Sequence, residues 1–176
     1  MGPYVRIRGV ATTEHMAQEI ERKFLVMGEW RHLAHSSSRL AQGYIVSGKR
    51  TVRARISDDR HAWLTIKGPS CDGGLSRFEW EVEIDVEKAR ELLTIAEGAI
   101  IDKRRYLIDH DGYTFEVDEF YGDNLGLVVA EVELSAIDEE FPHPEWLGRE
   151  VTGERRFYNS HLREHPYSKW SAEERE

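Results

Sequence analysis

Residues 76–84 read Ser76-Arg77-Phe78-Glu79-Trp80-Glu81-Val82-Glu83-Ile84, and after the serine they alternate strictly between ionisable and apolar side chains. A period of two indicates a β-strand, because successive side chains of a strand point to opposite faces of its sheet. One face of this strand is therefore apolar, and the other carries an arginine and three carboxylates. The stretch predicts a sheet with one whole face made of ionisable residues.

The same period recurs along most of the chain, with turn signals of the Gly, Asp and Asn type between the segments. The predicted strands are 19–27, 39–47, 51–57, 62–67, 76–84, 100–109, 113–120 and 127–134. One helix is predicted over Val86–Ala96, with Asp85 as its cap and Gly98 as its stop, and short helices are predicted after Ser135 and Tyr158. Eight mainly antiparallel strands with few helices predict a mainly β, α+β fold, either a closed barrel or a sandwich.

Composition excludes several classes of protein. The 176 residues carry 24 Lys and Arg against 33 Asp and Glu, a formal charge of −9, which excludes a basic surface that holds long nucleic acids. No apolar run approaches the roughly 18 residues of a membrane helix. The single cysteine, Cys71, excludes an intramolecular disulfide and favours a reducing compartment. We therefore expect a cytoplasmic protein with no nucleic-acid or membrane partner.

The ends of the chain lack the alternating pattern. Residues 1–15 are predicted to be an expression tag or a disordered extension, with Met16 as the natural start. Residues 16–170 are predicted to form one domain, since domains typically run to about 100–200 residues. Residues 171–176 are predicted to be a frayed, charged tail.

The ionisable positions of the strands allow two interpretations. In the first, each charged face meets water while the apolar face meets a shared core. In the second, the sheet closes with its charged faces inward, because an eight-stranded barrel can hold a small ligand. Segregation of acids and bases onto different strands favours the second, since solvated faces usually mix the two signs.

The inward interpretation predicts a definite chemistry. The carboxylate pairs Glu19/Glu21 and Glu131/Glu133, which Asp118 can join, offer oxygen-only ligands, and these favour Mg²⁺ or Mn²⁺ over zinc. The bases suited to phosphate oxygens are Arg53, Arg55, Lys67, Arg77, Lys103 and Arg105. Together they predict a metal-assisted phosphoryl-transfer site. The competing explanation is a set of cross-strand ion pairs on a surface.

At Glu19-Ile20-Glu21-Arg22-Lys23 the chain resembles the CYTH, or triphosphate tunnel metalloenzyme, superfamily, whose signature is ExExK. Further motifs follow in the order of the small bacterial single-domain members, and the resemblance spans roughly Met16 to Arg163. These motifs are Gln42-Gly43-Tyr44, Val52-Arg53-Ala54-Arg55, Leu64-Thr65-Ile66-Lys67-Gly68, Ser76-Arg77-Phe78-Glu79-Trp80-Glu81, Asp102-Lys103-Arg104-Arg105-Tyr106, Glu116-Val117-Asp118, Glu131-Val132-Glu133, Trp146-Leu147-Gly148 and Glu150-Val151-Thr152.

The resemblance implies an eight-stranded antiparallel tunnel, with helices packed outside it and a C-terminal helix, that hydrolyses the terminal phosphoanhydride of inorganic triphosphate with Mg²⁺ or Mn²⁺. It implies that the metal ligands are Glu19, Glu21, Asp118, Glu131 and Glu133. It implies that the phosphate-binding residues are Lys23, Arg53, Arg55, Lys67, Arg77, Lys103, Arg105 and Arg155. It makes Tyr44 and Lys103 the candidates for handling the water or the leaving oxygen.

Other outcomes stay open at this level. The family also includes thiamine triphosphatases and class IV adenylyl cyclases, and a non-catalytic polyphosphate-binding module would keep the bases. The sequence departs from the family at Arg155-Arg156-Phe157, where Lys-Arg-Tyr is common, and at Ala41, where relatives often carry a larger polar residue. The expected partner is a small anionic triphosphate, and assembly as a homodimer is compatible with the sequence.

Overall fold

The computed structural model of the chain describes residues 20–71 and 76–175. For residues 69–71 and 76–79 it describes only the backbone. The predicted extension, residues 1–15, lies outside the described residues. Strand pairing is antiparallel wherever the described strands have a recorded register. The predicted mainly β, α+β class is confirmed.

The described residues form nine β-strands and two α-helices. The strands are β1 Ile20–Val26, β2 Ser36–Val46, β3 Thr51–Ser57, β4 His61–Cys71, β5 Ser76–Ile84, β6 Glu97–His110, β7 Tyr113–Phe120, β8 Val128–Leu134 and β9 Leu147–Glu150. The α-helices are α1 Val86–Thr94 and α2 Asn159–Leu162. Single turns of 3₁₀-helix lie at Arg31–Leu33, Gly122–Asn124, Arg155–Phe157, Tyr167–Lys169 and Glu173–Arg175.

The described chain packs as two compact units. The first unit comprises 40–71 and 76–100, and the second comprises 20–39 and 101–175. In the first unit the strands pair in the order β2-β3-β4-β5, and in the second in the order β6-β7-β8-β1-β9. Each order has two ends, so neither unit is by itself a closed barrel. The described strands thus do not bear out closure, and their number is nine instead of the predicted eight because β9 pairs with β1.

The apolar face of the first unit packs against α1. Ile56 and Ala62 of the sheet are buried with Ala89 of the helix, whose side chain has no exposed surface. The helix begins where predicted, because the Asp85 carboxylate accepts a hydrogen bond of 2.9 Å from the Glu87 backbone N–H. Burial of this face leaves the opposite, ionisable face of the same strands to carry the chemistry.

The second unit has its main core on one face of its sheet. Phe24, Phe115 and Val132 lie at the centre of this core, and each is at most 1% exposed. Two tryptophans pack across the face edge to ring: Trp146 lies 5.3 Å from Phe115, and Trp30 lies 5.0 Å from Tyr106, measured between ring centroids. Aromatic side chains therefore pack over this face of the sheet and hold it in place.

The opposite face of the second unit changes character along its length. Ile101, Phe120 and Val129 form its apolar end, where they are buried with Phe157 and Trp170 of the C-terminal segment. The rest of this face holds the ionisable residues. The C-terminal segment therefore covers the apolar end and bounds the charged part.

The predicted helix after Ser135 is wrong. Residues 135–138 form bends and a turn, and one carboxylate oxygen of Glu139 accepts hydrogen bonds from the Ser135 backbone N–H and hydroxyl, each at 2.6 Å. The other oxygen accepts a bond of 2.7 Å from the Tyr113 hydroxyl. The Ser135 and Tyr113 hydroxyls lower the pKa of Glu139 to about 2. A helix that began at Ser135 would soon meet Pro142 and Pro144, which cannot continue it, so the segment stays a turn.

The predicted helix after Tyr158 is present as α2. Ser171 to Arg175, expected to fray, carry several hydrogen bonds, including one of 2.8 Å from the Ser171 N–H to Glu174. Arg156 donates a bond of 2.6 Å to the Glu174 backbone carbonyl. No helix in the described part of the chain combines the length and the apolar character that a membrane crossing requires.

Gly43 of β2 generates a test of the packing in the first unit. A Cβ at this position would lie 2.7 Å from Ala96 Cβ and 2.9 Å from Leu93 Cδ2, which is too close for carbon atoms. We expect Gly43→Ala to lower the free energy of unfolding by about 1–3 kcal/mol, measured by urea denaturation. Val46→Ala, at an exposed position of the same strand, is the control and is expected to change it by no more than about 0.5 kcal/mol. Equal stability of the two variants would contradict this packing.

Candidate functional site

The ionisable face of the second unit brings together residues from four strands. Their alignment follows from the register: Glu21 lies opposite Glu133, Lys23 opposite Glu131, and Arg105 opposite Asp118. Side chains directly opposite on one face lie within reach of each other. The residues that cluster on this face are Glu21 and Lys23 of β1, Glu131 and Glu133 of β8, Glu116 and Asp118 of β7, and Lys103 and Arg105 of β6.

Asp118 lies at the centre of this face and is 1% exposed. Arg105 donates to both of its oxygens, from Nε and Nη2, each at 2.7 Å, and Lys103 Nζ also donates to it. Burial acts to raise the pKa of Asp118, but Arg105 and Lys103 outweigh it and hold this pKa well below its usual range. The carboxylate is therefore ionised and fully engaged by cations.

Lys103 is the most deeply buried base of the face, at 2% exposed. Burial lowers the pKa of Lys103 in spite of the attraction of Asp118, and the positive charge of Arg105 lowers it further. Its ammonium also lies 5.5 Å from the centre of the Phe120 ring. Lys103 therefore gives up a proton more readily than an exposed lysine does.

Lys23 and Glu131 form a second buried pair on the same face. Lys23 is 5% exposed, donates to Glu131 and lies 3.6 Å from Glu21 Oε1. Burial acts to lower the pKa of Lys23, but the negative charges of Glu131 and Glu21 outweigh this effect and raise the pKa. Burial acts to raise the pKa of Glu131, but the positive charge of Lys23 outweighs it, so the pKa of that carboxyl is lowered. Arg105 links the two pairs, since its Nη2 lies 3.1 Å from Glu131 Oε2.

A turn after β9 holds Lys23 from the side. The Lys23 backbone N–H donates to Thr152 Oγ1 at 2.9 Å, and the Val151 N–H donates to the Lys23 carbonyl at 2.8 Å. The ring centre of Tyr158 lies 5.0 Å from Lys23 Nζ, a distance at which an aromatic face attracts a cation. Lys23 is therefore fixed through both its backbone and its ammonium.

The carboxylates offer a divalent metal a partial ligand set. Glu21 and Glu133 lie opposite each other in register, and both side chains are exposed, so their oxygens remain accessible. Such oxygen donors fit a hard cation. Among the described residues, however, no three His, Cys, Asp or Glu side chains converge to hold a metal, and Glu19, the further predicted ligand, lies outside them. The residues present fit such an ion as part of a larger oxygen set.

The first unit places predicted phosphate-binding residues on its own ionisable face. Tyr44, Arg53, Thr65 and Glu81 lie in register as one row across β2, β3, β4 and β5. Tyr44 is 7% exposed, and its hydroxyl accepts a bond of 3.4 Å from Gln42 Nε2. Tyr44 and Thr65 of this row are buried, whereas the side chain of Glu81 is partly exposed.

Arg55 occupies the neighbouring position of the same face. Its guanidinium lies 5.3 Å from the centre of the Trp63 ring, and its Nη2 lies 3.5 Å from Glu81 Oε2. Lys67, two positions beyond Thr65 on β4, is partly buried. Arg55 and Lys67 therefore both lie on the ionisable face of the first unit, and their phosphate-binding roles stay predictions.

The roles of two further predicted residues, Arg77 and Arg155, stay predictions. The side chain of Arg77 lies outside the described residues, so its role stays a prediction. Arg155 is exposed in its 3₁₀ turn, and its role also stays a prediction. Its neighbour Arg156 contacts Glu154 and lies 4.9 Å from the centre of the Phe157 ring, so it serves packing of the C-terminal segment.

Three residues at the two charged faces received no role in the sequence analysis. Glu116 belongs to the alternating set but received no role, and it contacts Arg105. Burial raises the pKa of Glu116 in spite of Arg105. Thr65 is neutral and Tyr158 precedes a helix, so neither stood out by charge. The period of two on β4 could have identified Thr65, since it lies between Trp63 and Lys67 on one face.

Burial excludes the interpretation that the charged face of the second unit is a solvated surface. Lys103 and Asp118 are almost completely buried, so they are not solvated surface ion pairs.

Residues 17–158, which are most of the chain, match the model of the CYTH domain family. The chain belongs to the CYTH domain family.

Two similar proteins in this family are named inorganic triphosphatases. The one from Acetivibrio thermocellus is 45% identical over 154 residues, which cover 86% of this chain and 97% of that protein. The one from Nitrosomonas europaea is 36% identical over 148 residues, which cover 82% of this chain and 95% of that protein. The likeness therefore spans nearly the whole of each relative.

A solved CYTH structure shows the same fold. The crystal structure of an inorganic triphosphatase superposes with a TM-score of 0.66 at 34% identity, covering 85% of this chain and 97% of the other. Metal dependence is general in the CYTH family. The sequence-based resemblance is thus confirmed.

Asp118 generates a test of the buried ion network. Asp118→Asn keeps the shape of the side chain but removes the charge that holds Lys103 and Arg105. Because unpaired buried charge is costly, we expect the free energy of unfolding to fall by about 3–5 kcal/mol in urea denaturation without metal. Glu133→Gln, on the same face but exposed, should change it by less than about 1 kcal/mol. An Asp118 variant as stable as the Glu133 control would show that the network does not stabilise the fold.

Proposed function

We propose that this CYTH protein hydrolyses the terminal phosphoanhydride of inorganic triphosphate in a metal-dependent reaction. The observation that carries the proposal is the buried face on which Lys103 and Lys23 are held by Asp118 and Glu131. Burying ammonium and carboxylate groups together is costly unless they are paired, and it leaves strong, fixed donors for an anion. The two relatives named inorganic triphosphatases support the same reaction.

The bases bind and orient the substrate in this proposal. Each guanidinium presents a fork that matches phosphate oxygens, and each ammonium acts as a point charge. Held geometry supplies much of the acceleration in phosphoryl transfer, because the reaction needs alignment more than covalent assistance. The proposed phosphate-binding residues are Lys23, Arg53, Arg55, Lys67, Arg77, Lys103, Arg105 and Arg155.

The metal is proposed to be Mg²⁺ or Mn²⁺, since the donors available to it are carboxylate oxygens. Glu21 and Glu133 would hold it, with Glu19 and Glu131 as further ligands. When bound, such an ion screens phosphate charge and lowers the pKa of a water molecule. Asp118 is a further proposed ligand, and because its oxygens accept from Lys103 and Arg105 it also positions these bases.

Lys103 and Tyr44 are the proposed proton-handling residues. The lowered pKa of Lys103 suits its Nζ to give a proton to the phosphate oxygen that leaves when the terminal bond breaks. The Tyr44 hydroxyl, which accepts a hydrogen bond from Gln42 Nε2, is proposed to orient a phosphate oxygen or a water. A module that only bound polyphosphate would need bases but no accessible carboxylates such as Glu21 and Glu133.

The expected partner is a small triphosphate, and the cytoplasm is the proposed compartment because the single cysteine, Cys71, fits a reducing environment. The state of assembly stays a prediction.

A phosphate-release panel tests the reaction. We expect tripolyphosphate to be hydrolysed with Mg²⁺ or Mn²⁺ at least about tenfold faster, in kcat/KM, than ATP, thiamine triphosphate or pyrophosphate. The expectation rests on bases that bind phosphate alone. Preference for thiamine triphosphate, or formation of cyclic AMP from ATP, would replace the proposed activity with one of the alternatives. Tight binding without any phosphate release would establish a non-catalytic module.

Glu21 provides a test of the metal site. Glu21→Ala removes a carboxylate that is accessible and has Glu133 opposite it, so we expect metal-dependent phosphate release to fall by at least about 100-fold. Calorimetric titration with Mn²⁺ should show weaker binding in the same variant. Glu145→Ala, at an exposed position elsewhere in the second unit, serves as the control and should keep wild-type turnover. Retained turnover in Glu21→Ala would remove this residue from the site.

A further inference from the structure

Thr65 is a neutral residue buried in the middle of a charged row of the first unit. It lies in register between Arg53 on β3 and Glu81 on β5, and its side chain has no exposed surface. Its hydroxyl oxygen lies 3.2 Å from Arg53 Nη2 and 2.7 Å from Glu81 Oε2. Thr65 is therefore the direct link between the arginine and the carboxylate.

The direction of the two hydrogen bonds at Thr65 is fixed by its partners. An ionised carboxylate only accepts, so the single hydroxyl proton is donated to Glu81. A guanidinium only donates, so the hydroxyl lone pairs accept from Arg53. Thr65 thus occupies one donor of Arg53 with a neutral acceptor and keeps its own proton directed toward Glu81.

Arg53 is held in place without being saturated. Within the described part of the chain, its Nε is buried and has no acceptor within hydrogen-bond distance. Its Nη2 lies 3.6 Å from Glu81 Oε2, which is an ion pair at longer range than a direct hydrogen bond. Since a buried donor without an acceptor is costly, this arrangement favours an anion that would supply one.

Glu81 is shared between two arginines. Its Oε2 is 3.5 Å from Arg55 Nη2 and 3.6 Å from Arg53 Nη2, and the carboxylate side chain is 32% exposed. One negative charge between two guanidinium groups restrains both, but it also weakens the attraction that they exert on another anion. Glu81 therefore has two opposite effects on phosphate binding, one through geometry and one through charge.

We propose that Thr65 and Glu81 are positioning residues of the phosphate site, where Thr65 orients Arg53 and the charge of Glu81 limits how tightly phosphate oxygens are held. The inference deepens the proposed function and rests on it, since Arg53 is there assigned to phosphate oxygens. A limit on affinity favours release of the phosphate products after hydrolysis.

Variants of Thr65 test the geometric part. Thr65→Val keeps the shape and removes the hydroxyl, whereas Thr65→Ser keeps the hydroxyl and removes a methyl group. We expect Thr65→Val to raise KM for tripolyphosphate about tenfold, with a smaller change in kcat, because a hydrogen bond to a charged group is lost. Thr65→Ser should restore KM to within about threefold of the wild type. Equal KM values in the valine and serine variants would overturn the orienting role.

The Glu81→Gln substitution tests the charge part. Glutamine can still accept from Thr65 through its amide oxygen, so the geometry is kept while the negative charge is lost. We expect calorimetry with tripolyphosphate, in EDTA to prevent turnover, to give a dissociation constant roughly fivefold lower than in the wild type. Glu83→Gln removes a carboxylate two residues along the same face, at 57% side-chain exposure, and should leave the constant unchanged.

The outcomes separate this inference from the proposed reaction. Tighter binding in Glu81→Gln but not in Glu83→Gln supports the inference even if wild-type protein binds tripolyphosphate without hydrolysing it. Weaker or unchanged binding in Glu81→Gln overturns it even if the wild type is an active triphosphatase. Absence of tripolyphosphate binding by the wild type in EDTA overturns this inference, and absence of binding with Mg²⁺ or Mn²⁺ as well overturns both.

Discussion

The charged face of the second unit depends on the triple contact between Asp118, Lys103 and Arg105. A lysine and an aspartate that are both almost completely buried would each be costly alone, so they persist because each satisfies the other. The bidentate bonds from Arg105 require β6 and β7 in one register, because a slip of one residue would move every partner to the opposite face. The ion network and the strand register therefore stabilise each other.

This constraint also separates two kinds of carboxylate on the same face. Both oxygens of Asp118 accept from buried cations, so this carboxylate is paired within the protein. Glu21 and Glu133 are exposed and face each other, so their oxygens can meet an ion from solution. The sequence identified all three as acids at alternating positions. It could not rank them, because the ranking depends on which neighbouring strands supply the bases.

Much of the fold followed from local pattern, and the failures have local causes. The period of two located the eight long strands, and a cap with a stop located α1, because each signal lies within a few residues. Strand β9 was missed because its four residues are too few to show a period. The helix after Ser135 was wrong because Pro142 and Pro144 leave too few residues there for a stable helix. Closure of a barrel depends on long-range pairing, which a period cannot reveal.

The balance of charge on the second unit explains why a metal should accompany an anionic substrate. Three bases, Lys23, Lys103 and Arg105, share this face with carboxylates that outnumber them: Glu21, Glu116, Asp118, Glu131 and Glu133. Burial raises the pKa of Glu116, yet even with that carboxyl protonated the acids exceed the bases. A triphosphate would meet net repulsion there unless a divalent cation offset the excess negative charge. The formal charge of −9 is therefore compatible with polyanion binding, because the carboxylates that create it can bind the cation.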